Sequence, residues 1–383
     1  MKRLLHIQLL PLLSGVQRFS LYLLSGLDSN EFEIWVACKP GGEFEQAVKE
    51  YGFNYLPLPT FCHKISLWDL LTSLHLIWIM WRKKFDIVHT NSSKPGLLGR
   101  LAARICGVPL ILHTAHGTAF QQDQTRPVHL FFSAMEFVSN LLGHKTIFVN
   151  NSDRLTCVAK HLLPAKKALT IYNAIPDKLS LDLTQIAQNR KPAIDELIIG
   201  STIRFSTQKN AINLINVACD ACKETPKLKF IILGDGQHYQ LCKAIVETKG
   251  MSSRVILPGW DSNVIPWLKV FNAFVLYSRW EAQPFSIIEA MSSGLAVIGS
   301  RIPSIMELCD DYTGYLVDLD DHQTLKQVFI NIAEDFVPVY KKGMAAAAHI
   351  TALCNYQNMV DSYRDVYLGG KVERWKGETR FDD

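Results

Sequence analysis

Short apolar runs rich in β-branched residues alternate with segments of helical periodicity along almost the whole chain. This alternation is typical of parallel sheets covered by helices, and the series restarts halfway along the chain. The sequence therefore predicts an α/β protein of two Rossmann-like, doubly wound domains that face each other across a cleft. The candidate strands are 4–10, 33–37, 86–90, 110–114, 145–149 and 169–172, followed by 197–202, 229–233, 255–258, 273–277, 296–300 and 314–317.

A polar segment separates the two series of strands. Residues 177–195 lack sustained periodicity and have prolines near their edges, so we expect a linker there. Near the C-terminus, apolar residues recur at helical spacing, and we expect that helix to return to the first domain. The predicted parts are an N-terminal Rossmann-like domain at 1–176, the linker at 177–195, a C-terminal Rossmann-like domain at 196–355, a helix at 356–368 and a charged tail at 369–383.

Composition excludes several classes of protein. Hydrophobic residues make up 48% of the 383 residues, which fits two buried cores and excludes a disordered chain. The net charge of +4 is too small to indicate a nucleic-acid partner. Nine scattered cysteines and no expected secretory signal predict a reduced, cytoplasmic protein. The longest apolar stretch, 65–81, is too short and too polar to predict a membrane span.

The most informative motif is a pair of acids eight residues apart, Glu281 and Glu289. Glu281 is expected in a loop after a strand, and Glu289 one turn inside a helix. The N–H groups at the start of that helix, around Phe285 and Ser286, suit a phosphate, and a nearby carboxylate suits a ribose diol. Structural interpretations remain open, because Ser286 and Glu289 also fit a capping box and Glu281 fits a solvated loop acid.

Three further groups follow predicted strands. Arg204 and Lys209 lie after the first strand of the second series, where two cations suit a diphosphate, although either alone fits a surface charge. His116 precedes a glycine that lets a ligand approach the backbone, although a lone histidine here is more often structural. Gly15 follows the first strand and opens a helix, which is a weak signal by itself.

Two other motifs have simpler explanations. Asp318 and Asp320 form a D-x-D, but they lie between a strand and a helix, where capping and solvation are expected. Gly234 and Gly236 lack the third glycine of a dinucleotide fingerprint because Tyr239 occupies its place, which disfavours an oxidoreductase.

Taken together, these segments resemble glycosyltransferase family 4, whose members are retaining nucleotide-sugar transferases of the GT-B fold. The resemblance covers about residues 1–368 in consistent order. It is carried by Ser14-Gly15, the run DIVHTNSSKPGLLGRLAARICGVPLILHTAHG (86–117), IYNAI (171–175), IGSTIRFSTQKN (199–210), LGDG (233–236), LPGW (257–260) and EAQPFSIIEAMSSGLAVIGS (281–300).

The resemblance implies a role for each candidate residue. The cations clamp the donor diphosphate, the second acid binds the ribose, and the first acid and the histidine contact the transferred sugar. The implied catalytic residues are His116, Arg204, Lys209 and Glu281, and the implied donor-binding residues are Gly15, Phe285, Ser286 and Glu289. Ser14 and Ala282 stand where the family commonly has glycine, so the fit around the donor sugar is expected to differ.

The implied activity is retaining transfer of a hexose or N-acetylhexosamine from a nucleotide-sugar, with UDP as the first expectation, to a saccharide acceptor that is expected to be lipid-linked, in bacterial surface polysaccharide or lipopolysaccharide synthesis. The resemblance implies that the first domain binds the acceptor and the second domain binds the donor. The nucleotide-sugar is a co-substrate, and neither a cofactor nor a metal is expected, since the cations and the helix terminus supply positive charge. The alternatives are an epimerase or hydrolase of the same fold, or a non-catalytic nucleotide-sugar-binding protein.

The segment 65–84 has two interpretations. A helical stripe of leucines and tryptophans from Leu67 to Trp81 predicts its core face, yet Trp68, Ile77, Ile79 and Met80 lie off that stripe and a basic triplet follows. Such a helix fits either full burial or peripheral contact with an anionic membrane at its cytoplasmic face. The second interpretation suits a lipid-linked acceptor.

Overall fold

The computed structural model describes residues 1–62, 66–117, 126–193 and 195–370. It divides into two compact units. The first contains residues 1–174 together with the chain from Tyr356 onwards, and the second contains residues 175–355. The predicted tail therefore lies, beyond Gly370, outside the described residues.

Within the described residues, the first unit has a parallel sheet of seven strands in the order β3-β2-β1-β4-β5-β6-β7. Its strands are β1 (Lys2–Ile7), β2 (Phe32–Cys38), β3 (Asn54–Pro57), β4 (Ile87–Asn91), β5 (Leu110–Ala115), β6 (Lys145–Phe148) and β7 (Ala168–Thr170). Its helices are α1 (Gly15–Ser25), α2 (Glu43–Glu50), α3 (Trp68–Lys83), α4 (Ser93–Ile105), α5 (Arg126–Leu142), α6 (Asn151–Ala159) and α15 (Tyr356–Leu368).

The second unit, over its described residues, has a parallel sheet of six strands in the order β10-β9-β8-β11-β12-β13. Its strands are β8 (Leu197–Thr202), β9 (Leu228–Leu233), β10 (Val255–Gly259), β11 (Ala273–Leu276), β12 (Ala296–Ser300) and β13 (Gly314–Val317). Its helices are α7 (Asp177–Asn189), α8 (Ala211–Glu224), α9 (Tyr239–Thr248), α10 (Ile265–Val270), α11 (Phe285–Ser292), α12 (Pro303–Met306), α13 (His322–Glu334) and α14 (Phe336–Leu353).

The central strands are buried on both faces, which explains why they were recognisable as continuous apolar runs. Each of the twelve predicted strands overlaps an observed one. The sequence analysis missed β3, because this short edge strand is only partly buried and ends on Pro57. In both sheets the strand order reverses beside the first strand of the unit, at β1/β4 and at β8/β11, where open α/β sheets bind ligands.

The prediction of a linker at 177–195 was wrong. Residues 177–189 form α7, which packs against α11 and α14 of the second unit. Leu183 and Ala187, four residues apart, are its buried positions, whereas Leu181 is 64% exposed, so the apolar residues of this segment do not mark one face. Arg190 then donates hydrogen bonds to the carbonyl oxygens of Ser293 and Leu268, at 3.0 and 2.8 Å. The unit boundary falls before this helix, between Ala174 and Ile175.

The predicted core face of the helix at 65–84 was also wrong. Thr72, Leu76, Ile79 and Met80 face the core, whereas the predicted stripe lies on the surface, with Trp81 74% exposed. A helix that is apolar on most sides lacks a pattern that selects one face. Within the described ranges, no helix is both long enough and apolar enough to cross a membrane.

The C-terminal helix α15 belongs to the first unit, where its tyrosines enter the core. Tyr367 Oη lies 2.6 Å from His89 Nδ1, and Tyr363 Oη lies 3.0 Å from Thr114 Oγ1. All four residues are buried. The chain thus returns from the second unit and inserts hydrogen-bonding groups beneath the carboxyl ends of β4 and β5.

We expect Tyr367→Phe to lower the free energy of unfolding by about 1–3 kcal/mol, because it leaves a buried histidine nitrogen without a partner. Tyr312→Phe is the control, since Tyr312 is exposed. Urea denaturation of both variants checks this. Equal stability of the two would show that the Tyr367 hydroxyl does not hold α15 in place.

Candidate active site

Two glycines position the loop that carries Arg204. Gly234 and Gly236, after β9, have φ angles of +133° and +150°, and a Cβ atom at either would collide with the backbone carbonyl of Ile203 or Phe205. Backbone bonds join the two loops, with Phe205 N donating to Asp235 O at 3.0 Å. The G-D-G segment therefore supports the neighbouring loop by close backbone packing, and Arg204 projects from that loop with an exposed side chain.

The structure brings Lys209 and Glu281 together. Lys209 Nζ lies 2.5 Å from Glu281 Oε1, and the side chains are only 16% and 6% exposed. The loops after β8 and β11 are tied beside this pair, because Arg279 N donates to Gln208 O at 2.8 Å and Gln208 Nε2 donates to Trp280 O at 3.1 Å. Two residues expected to contact different parts of a ligand thus form a single ion pair.

Glu289 lies inside α11 and is only 4% exposed. The helix begins at Phe285 after Pro284, and no side chain caps it. The capping-box interpretation was wrong, because Ser286 lies within the first turn of the helix and not at its N-cap. The positive end of the helix dipole and a buried carboxylate therefore lie one turn apart in this unit.

The first unit places His116 directly after β5. Its Nε2 lies 3.0 Å from Oδ1 of Asn91, the last residue of β4, and its ring packs edge-on against Phe19 with 4.7 Å between centroids. Burial lowers the pKa of His116 to about 3, so the imidazole is neutral at physiological pH. Gly15 begins α1, one turn before Phe19, so it lies on the helix that packs against His116.

Sequence reasoning missed Asn91 and the polar network around it. His89 and Thr90 precede it in a strand whose residues are all buried. Three consecutive polar residues in a buried strand were a usable signal, since buried polar groups need partners.

The D-x-D segment has the structural role that was expected. Asp321 caps α13 by accepting a hydrogen bond from Thr324 N at 3.0 Å. Asp318 and Asp320 form ion pairs with Arg301 and Arg279, each at 3.1 Å. Among the residues that the structure describes, no group of three or more His, Cys, Asp or Glu side chains is arranged to hold a metal ion.

Comparison with known proteins assigns the family. The model of the group 1 glycosyl transferases matches residues 184–342, and the model of glycosyltransferase family 4 matches residues 13–179. The UDP-Gal:α-D-GlcNAc-diphosphoundecaprenol α-1,3-galactosyltransferase of Escherichia coli is 30% identical over 97% of this chain and 98% of its own. The N-acetyl-α-D-glucosaminyl L-malate synthase of Bacillus anthracis is 23% identical over 84% of this chain and 82% of its own.

The fold agrees with that assignment. The crystal structure of Anabaena HepE in complex with UDP and glucose matches 96% of this chain and 100% of its own, with a TM-score of 0.81 at 15% identity. The chain is therefore a glycosyltransferase, and it belongs to the group 1 glycosyltransferases of the GT-B fold.

Proposed function

We propose that the protein is a retaining transferase that moves a hexose or N-acetylhexosamine from a UDP-sugar to a saccharide carried on a polyprenyl diphosphate lipid. The setting is synthesis of a bacterial surface polysaccharide or lipopolysaccharide. The E. coli relative supports the donor and acceptor classes, since its name specifies UDP-Gal and a diphosphoundecaprenol-linked sugar. The observation that carries the donor half is the joint placement of Lys209, Glu281 and the N-terminus of α11 in the second unit.

Each candidate residue has one role in this proposal. Arg204, Lys209 and the N-terminus of α11, at Phe285 and Ser286, stabilise the departing nucleoside diphosphate. Glu289 binds the ribose, and Glu281 lies beside the transferred sugar. From the first unit, His116 contacts the transferred sugar and Gly15 lies near the phosphates. These roles come from the family resemblance, and the charges and burial described above are compatible with them.

The proposed reaction is a front-face displacement. The bond between C1 of the donor sugar and the diphosphate oxygen breaks, and the acceptor oxygen bonds to C1 on the same face. The proton of the acceptor hydroxyl passes to an oxygen of the departing diphosphate. This scheme needs no metal, because two cationic side chains and a helix terminus neutralise the diphosphate.

We expect UDP, and neither GDP nor ADP, to raise the melting temperature of the wild type. Arg204→Ala should weaken UDP binding by about tenfold or more, the value of a charged hydrogen bond. The matched control is Arg301→Ala, whose exposed guanidinium pairs with Asp318.

The product assay uses UDP-galactose, UDP-glucose and UDP-N-acetylglucosamine with a polyprenyl-diphosphate-linked N-acetylglucosamine acceptor. We expect a product with retained anomeric configuration by NMR. Inversion would refute the front-face reaction. Free sugar formed without acceptor would indicate a hydrolase, and absence of any nucleotide response would refute the donor site.

Glu281→Gln should separate binding from catalysis. Removing this carboxylate frees Lys209 for the diphosphate, so UDP should bind at least as tightly as to the wild type. At the same time kcat should fall by about 100-fold, because a charged group beside the reacting sugar is lost. Calorimetric titration with UDP and steady-state kinetics check the two effects. Weaker UDP binding by Glu281→Gln would contradict the proposed competition between carboxylate and diphosphate.

We further propose that the first unit rests on the cytoplasmic face of the membrane through a surface that we call the apolar face. It consists of the outward side chains of α3, α4 and α5, which pack in that order. The face includes large apolar side chains that are exposed on each of the three helices. They are Leu67, Trp68, Leu70, Leu71, Leu74, Trp78 and Trp81 on α3 and the residue before it, Leu101 and Ile105 on α4, and Val128, Leu130, Phe131, Phe137, Val138 and Leu141 on α5.

The charges on the apolar face suit an anionic lipid surface. Its exposed charged residues within the described ranges are all basic, namely Arg82, Lys84, Arg104 and Arg126. The two acids of these helices are turned away from solvent. Asp69 pairs with Lys94 at 2.5 Å, and Glu136 lies 4.0 Å from the buried Arg100. Apolar side chains bordered by basic ones favour an anionic bilayer surface.

Trp81→Glu should lower binding to anionic phospholipid vesicles by about tenfold or more, because it puts a charge into the apolar face. The matched control is Trp260→Glu, at a tryptophan of the second unit that is 60% exposed. Cosedimentation at low and high salt measures both variants. Absence of wild-type binding at low salt, or equal losses in the two variants, would refute membrane contact through this surface.

A further inference from the structure

The carboxyl ends of β1, β4 and β5 are joined by a buried polar network around Asn91. Its Oδ1 lies 3.0 Å from His116 Nε2, and its Nδ2 lies 2.9 Å from His6 Nε2. Ser20 Oγ lies 2.8 Å from the same nitrogen of His6. Asn91, His6 and Ser20 have no solvent exposure, so the contacts among these three residues are made in the protein interior.

The orientation of the Asn91 amide follows from its neighbours. Nδ2 lies 3.4 Å from the carbonyl oxygen of Ile7, which can only accept a hydrogen bond. The NH2 group must therefore face Ile7 and His6, and Oδ1 must face His116. An amide oxygen can only accept, so His116 carries its proton on Nε2 and has a lone pair on Nδ1.

Two features of the protein keep the His116 ring neutral and in place. Burial lowers its pKa to about 3, which keeps it neutral, and Phe19 packs against it. Within the described part of the chain, the side chain of Asn91 is the hydrogen-bond partner of the ring. Without Asn91, the two neutral tautomers would be free to interchange, and Nδ1 would be a donor in one of them.

We propose that Asn91 is a positioning residue that holds His116 as the Nε2-protonated tautomer, so that Nδ1 accepts a hydrogen bond from a hydroxyl of the donor sugar. The contact with the sugar rests on the role proposed for His116 above. The assignment of the tautomer depends only on the contacts of Asn91.

Imidazole ¹⁵N spectra of the full-length protein, labelled at histidine, test the tautomer directly. His116→Ala identifies the His116 signals. We expect a protonated Nε2 and an unprotonated Nδ1 in the wild type, and a mixture in Asn91→Leu. The matched control is Thr90→Val, which removes a buried hydroxyl that contacts His113 Nδ1 at 3.0 Å, and it should leave the His116 signals unchanged. A wild-type His116 protonated on Nδ1 would overturn the proposal even if Asn91→Leu failed to fold, and so would an unchanged tautomer in Asn91→Leu.

A double-mutant cycle tests the functional half, with UDP-galactose or whichever UDP-sugar the wild type uses. Asn91→Leu should lower kcat/KM by about tenfold, which corresponds to one hydrogen bond made in the transition state, and should leave the affinity for UDP unchanged. In a His116→Ala background the same change should have no further effect. Additive losses would overturn the proposal. Absence of sugar transfer by the wild type would refute the proposed function instead, and the tautomer measurement would still decide the role of Asn91.

Discussion

In both units the paired strands of the described chain run parallel, so the loops that leave their carboxyl ends emerge at one edge of each sheet. Helices cover the sheets, which makes the strands largely apolar and concentrates polar chemistry near those ends. In the second unit, this arrangement brings Lys209 to Glu281. In the first unit, it brings Asn91 to His116.

The ion pair between Lys209 and Glu281 in the second unit is almost fully removed from water. Burying two charges has a desolvation cost that their attraction offsets only when the geometry is good. The hydrogen bonds between the loops after β8 and β11 hold the pair in place. In the proposed donor site, a diphosphate on Lys209 would compete with the carboxylate of Glu281, which would link donor binding to the release of that side chain.

In the first unit, the buried His89 and Thr114 have hydrogen-bond partners, whereas many large apolar side chains are exposed. Beneath the strand ends, α15 satisfies buried histidine and threonine groups with tyrosine hydroxyls, and a satisfied network of this kind makes the interior rigid. The helices α3, α4 and α5 instead leave leucine, tryptophan and phenylalanine side chains in solvent. This exposed apolar surface, bordered by basic side chains, is the observation behind the proposed contact with anionic lipid.

Much of the fold was accessible from sequence, because buried parallel strands are continuous apolar runs, and so was the placement of the candidate residues in the segments that follow those strands. The family resemblance was accessible as well, since its motifs combine buried strands with the loops that follow them. The face that α3 buries was not accessible, because a helix that is apolar on most sides gives periodicity no preference. The helix α7 was not accessible from the sequence either, because its buried positions are only Leu183 and Ala187.

The sequence by itself determined twelve of the thirteen described strands, their order along the chain and the residues that follow them. Only the tertiary structure decided that Lys209 pairs with Glu281 and that Asn91 contacts His116. Both contacts join residues distant in the chain, at separations of 72 and 25 positions. Such pairings depend on which strands become neighbours in the sheet, and local periodicity carries no information about that order.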